Sequence, residues 1–108
     1  MQKFLIKTVN QLYTGRRFLT QIGKDTKEAI SWEIKSQNKS KQLMKGNVGV
    51  YIDFYFPDNR KDIDGCLKAT LDCLNKLVWE DDRQVVELHV YKNIDKENPR
   101  TEIEVREA

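Results

Sequence analysis

The sequence predicts an α/β (α+β) domain of two layers, a mixed β-sheet with two main helices on one face, in the order β-β-α-β-α-β-β. Three observations predict it. Val48 to Phe56 alternates, with Val48, Val50, Ile52, Phe54 and Phe56 on one side and Gly49, Tyr51, Asp53 and Tyr55 on the other, the period of a half-buried strand. Leu67, Leu71, Leu74 and Val78 recur at helical spacing. The 108 residues suffice for one core and are too few for two ordinary domains, so 1–108 reads as a single domain.

The remaining elements follow in order. Residues 3 to 9 are apolar and β-branched and read as a strand ending at Asn10. Gly15, Arg16 and Arg17 suggest a basic loop leading into a brief extended piece, Phe18 to Thr20. Asp25 or Thr26 can cap a helix running to about Asn38, with Ala29, Ile30, Ile34 and Trp32 as its apolar side. After the Val48 strand, Pro57-Asp58-Asn59 is a stop, and Asp64 is placed to cap the second helix. Val85 to Asn93 and Thr101 to Arg106 alternate on either side of a turn-like Asp95 to Pro99, which reads as a terminal hairpin.

Composition narrows the class. With 39% hydrophobic and 33% charged residues, the chain is polar but able to build a core. It buries only about two-thirds of its unfolded surface, so an active site is expected to be shallow or shared between subunits. No apolar run reaches the roughly 18 residues of a membrane span, and the first ten residues lack a signal-peptide pattern. Cys66 and Cys73 lie seven apart in one helix, about 10 Å and too far for a disulfide. They are expected to be reduced thiols in a cytoplasmic protein. With His89 the one histidine, zinc lacks ligands. Charge is uneven: residues 1 to 45 hold ten basic against three acidic residues, and 46 to 108 hold nine against fourteen. One surface suited to a phosphate backbone and another suited to a cation would produce that asymmetry, as would ordinary solubility.

Chemistry concentrates between residues 57 and 83. Asp62 and Asp64 flank the start of the second helix, and Glu80-Asp81-Asp82 follows its end. Each acid alone has an ordinary role as cap, turn residue or solvated loop. Carboxylates brought to about 4 Å repel by roughly 4 kcal/mol at an effective dielectric near 20, so a converged set needs a cation, and oxygen ligands favour Mg²⁺ or Mn²⁺. Lys68, four residues from both Asp64 and Asp72, is either part of a surface ladder or a cation beside the carboxylates.

Together, Asp62-x-Asp64, Lys68-x-x-x-Asp72-x-Leu74 and Asp81-Asp82-x-x-Val85-Val86 resemble the RusA family of Holliday-junction resolvases. Asn10 to Tyr13 and the basic Gly15-Arg16-Arg17 extend the likeness upstream. Gly65 stands where the family usually has Asn, and Lys7-Thr8-Val9 replaces its proline-rich lead-in. The resemblance implies a homodimeric, magnesium-dependent endonuclease, with Mn²⁺ as a substitute, that cuts four-way junctions symmetrically in recombination and repair. It implies Asp62, Asp64 and Asp82 as metal ligands, with Asp81 in reserve, and Lys68 as the catalytic cation. In-line attack of a metal-activated water would leave a 5′-phosphate and a 3′-hydroxyl. Arg16, Arg17, Lys24 and Lys27 are candidates for phosphate contacts. The alternatives are the same chemistry on flaps or forks, a junction-binding module without nuclease activity, or an interaction domain.

Overall fold

Val48–Phe56 is the strand around which everything else is arranged. In a computed structural model that describes residues 2–7, 21–38, 42–59 and 63–108, with the backbone alone for 21–27, two α-helices and four strands are seen among the described residues. They are β1 (Gln2–Ile6), α1 (Gln21–Gln37), β2 (Val48–Phe56), α2 (Ile63–Leu74), β3 (Val85–Ile94) and β4 (Arg100–Glu107). The expected extended piece at 18–20 lies outside the described residues.

The sheet has the order β1-β4-β2-β3. β4 is antiparallel to both β1 and β2, whereas β3 is parallel to β2. Registers Phe4↔Ile103, Ile103↔Ile52 and Ile52↔Val90 put those side chains on one face, and Ile30, Ile34, Leu74 and Trp79 are buried in the same core. Both helices cover that face, the two-layer arrangement the alternation in β2 demands. Gln37 fastens α1 to β1, its side chain accepting from Leu5 N at 2.6 Å and donating to Leu5 O at 2.7 Å.

Four local expectations are corrected. β3 and β4 do not form a hairpin. They flank β2 on opposite sides, because the most apolar strand buries best with a partner at each edge, and the chain crosses its end where Asp95 N donates to Phe56 O at 2.7 Å. In α2 the buried residues are Cys66, Ala69, Thr70, Cys73 and Leu74, while Leu67 and Leu71 are half-buried. Small side chains let the helix approach the sheet, and the larger leucines fill its flank. The helix also stops at Leu74, where Lys76 turns left-handed at φ 67°, so Val78 belongs to the following turn. Trp32 is 72% exposed. Two residues from both Ile30 and Ile34, it lies about 200° around the helix from each.

Helix starts shift as well. α1 begins at Gln21, which leaves Asp25 inside it, and α2 begins at Ile63, which puts Asp64 in its first turn instead of at the cap. A carboxylate there still meets the positive end of the helix dipole. Both cysteines are buried thiols outside any disulfide. No helix among the described residues is long and apolar enough to cross a membrane.

Candidate metal centre

The turn after α2 is held by side chains, each with a definite partner. Asp81 caps a short 3₁₀ turn, Asp82–Gln84. Its Oδ1 accepts from Arg83 N at 2.9 Å, and its Oδ2 accepts from Arg83 Nε at 3.3 Å and Nη2 at 3.1 Å. The backbone N–H of Arg83, and then its guanidinium, hold the Asp81 carboxyl below the usual carboxylate range. Gln84 completes the capping box. Its Oε1 accepts from Glu80 N and Asp81 N, each at 2.9 Å, and its Nε2 donates to Met44 O at 2.7 Å and Gly46 O at 2.8 Å. The whole hydrogen-bonding capacity of that amide is used, which ties the turn to the residues leading into β2.

Asp82 differs from its neighbour. One oxygen, Oδ1, accepts from the indole Nε1 of Trp79 at 2.9 Å. Trp79 is fully buried and Asp82 is exposed, so the indole reaches from the core to a surface carboxylate. No donor among the described residues meets Asp82 Oδ2. Asp64 and Lys68 are exposed on one flank of α2, four residues apart, and Lys68 makes no ion pair among the described residues. Gly65 lies between them, and a Cβ there would meet nothing within 4 Å, which leaves room for a larger side chain.

The crossover sets where these groups stand. β2 and β3 run parallel from Val48↔Val85 to Phe56↔Ile94. α2 leaves from the far end of β2 and returns to its start, where Trp79 bridges Met44. Asp64 is therefore at one end of the β2-α2-β3 unit and Asp82 at the other, with a twelve-residue helix, about 18 Å, between them. Among the described residues no three His, Cys, Asp or Glu side chains form a group that could hold a metal. Asp62, Arg16 and Arg17 lie outside the described residues, and Lys24 and Lys27 stand in the first half of α1.

A groove of about 520 Å³ lies elsewhere, over the sheet face opposite the helices, among Lys3, Leu5, Tyr51, Asp53, Arg100 and Glu104. Among the described residues, its lining includes none of the sequence-predicted site residues. We rank the exposed acids above it, because its charges are largely paired: Glu104 with Lys3 and Arg106, and Arg100 with Asp95 and Glu102.

Residues 3–106 match the family described as Endodeoxyribonuclease RusA. The chain belongs to that family. The match covers both helices and all four strands, and with them every acid and the lysine discussed above. A relative, "Uncharacterized protein YqaN" of Bacillus subtilis (strain 168), is 43% identical over 52 residues, 48% of this chain and 36% of that protein. The match thus spans little more than a third of the relative's length. Within the RusA frame, sequence reasoning missed Trp79 and Gln84. Their signal was position alone: an indole three residues before Asp82 and an amide three residues after Asp81.

Proposed function

We propose that this chain is a magnesium-dependent, structure-selective endodeoxyribonuclease that resolves four-way (Holliday) junctions by paired symmetric nicks, acting as a homodimer in recombination and repair. The observation that carries the reading is the set of groups left accessible. Among the described residues Asp82, alone of the adjacent pair, keeps an oxygen without a donor, and Asp64 stands exposed beside exposed Lys68. These oxygens are hard donors that fit Mg²⁺ or Mn²⁺.

In this reading Asp62, Asp64 and Asp82 hold the metal. When bound, it supplies Lewis acidity and a water acidic enough to attack phosphorus. Lys68 stabilises charge that develops on the scissile phosphate. Arg16, Arg17, Lys24 and Lys27 contact the backbone of the junction without reading bases. The separation of Asp64 from Asp82 along the crossover supports a centre shared by two copies, Asp62 and Asp64 from one and Asp82 from the other. A two-fold pair then carries two identical centres, one for each nick. Cys66 and Cys73, thiols outside any disulfide, suit a cytoplasmic location.

The test is incubation of the purified chain with end-labelled four-way junction, with and without Mg²⁺. Nicks at symmetric positions in opposing strands, present only with the metal, are expected. Tight binding without cutting at any Mg²⁺ or Mn²⁺ concentration would make the chain a binding module, and faster cutting of flaps or forks would reassign its substrate.

A further inference from the structure

We propose that Trp79 is the positioning residue of the metal-facing carboxylate: its buried indole N–H takes Asp82 Oδ1 and reserves Oδ2 for the ion. The inference rests on the reading of Asp82 as a ligand and goes beyond it, since it assigns a task to a core side chain. Trp79 is wholly enclosed and anchored through its backbone, which accepts from Lys76 N at 2.7 Å and bridges Met44 and Asn75. Its ring therefore has little freedom, and the 2.9 Å bond to Oδ1 passes that rigidity to an exposed aspartate that would otherwise rotate freely.

Two consequences follow from the chemistry. A carboxylate with one oxygen already accepting a hydrogen bond binds a cation through the other, and outer partners of this kind hold ligands in the geometry that binding requires. The same contact separates the two neighbouring acids. Both oxygens of Asp81 are engaged by Arg83, whereas among the described residues Asp82 is held by one donor on one side. An indole is well suited to the task. It donates a single N–H and accepts nothing, so it fixes Oδ1 without competing for the ion.

The chain has two tryptophans, which makes the test direct. The two indole N–H resonances of the full chain are followed by NMR during titration with MgCl₂, and the Trp32→Phe variant assigns them. The Trp79 signal is expected to shift saturably while the exposed Trp32 signal stays fixed. The Asp82→Asn variant should abolish the shift. Trp79→Phe, which keeps the ring and loses the donor, should weaken Mg²⁺ binding in calorimetry by about tenfold or more.

Unchanged Mg²⁺ affinity in Asp82→Asn would sink the ligand assignment itself. Reduced affinity in Asp82→Asn, with a motionless Trp79 resonance in the wild type, would overturn the positioning role alone. Because that last measurement uses unaltered protein, it stands even where Trp79→Phe fails to fold.

Discussion

Asp81 and Asp82 are adjacent and alike in chemistry, and the fold gives them different partners. Asp81 accepts from the backbone N–H and guanidinium of Arg83, so its folded-state pKa lies below the unfolded value. The contribution of a depressed carboxyl is complete above the ordinary aspartate range and disappears as pH falls through the folded pKa. Asp81→Asn is accordingly expected to flatten the acid limb of a Tm-against-pH profile while Mg²⁺ affinity stays at the wild-type level. Asp82→Asn and Asp64→Asn should do the reverse at neutral pH, abolishing Mg²⁺-dependent cleavage while four-way junction binding persists in a gel-shift assay. Loss of cleavage in Asp81→Asn alone would exchange the roles of the two neighbours. Much of this was legible in the sequence. The placing of Asp64 and Lys68 on one flank follows from four-residue spacing. The indole contact to Asp82 was not legible, because it exists only once the chain bends at Glu80, between Trp79 and the 3₁₀ turn that begins at Asp82.

At the scale of elements, β2 was the easiest to read and is the most consequential. Its inward side chains, Val48, Val50, Ile52, Phe54 and Phe56, are all fully buried, whereas Val86 on edge strand β3 is 53% exposed. Phe54→Ala should cost about 3–5 kcal/mol in urea unfolding, against no more than about 0.5 kcal/mol for Val86→Ala. Equal losses would mean that β3 is covered in solution, as a second copy of the chain would cover it. The stop of α2 supplies another test. Lys76 occupies a left-handed conformation that costs a non-glycine residue roughly 1–2 kcal/mol, so Lys76→Gly should raise the unfolding free energy. Periodicity extended α2 to Val78 because the apolar pattern continues past Leu74, and hydrophobic spacing carries no information on where φ changes sign. The buried stripe was misplaced for a related reason: Leu outranks Cys, Ala and Thr in hydrophobicity, but the smaller residues permit the close approach of helix to sheet.

At the scale of the molecule, the two-layer class was legible because β2 alternates and α2 has a single apolar side. Strand order was not, since partners for β2 are chosen from distant segments. The same crossover that separates Asp64 from Asp82 yields a sharp test of a shared centre. Asp64→Asn and Asp82→Asn homodimers should each be inactive. Co-refolded mixtures should regain cutting, because one of the two centres in a mixed pair joins the intact Asp64 of the Asp82→Asn copy to the intact Asp82 of the Asp64→Asn copy. Mixing would restore nothing if each chain held its own metal, since every centre would then carry one altered residue.

The position of β4 between β1 and β2 also governs how the fold is reached. Among the described strands, no two that are adjacent in the sheet are joined by a tight turn, and β1 pairs with residues about a hundred positions away, as in Gln2↔Val105. Such non-local pairing slows folding. During synthesis β1 waits for β4 until residues 100–107 have left the ribosome, so this part of the sheet closes late.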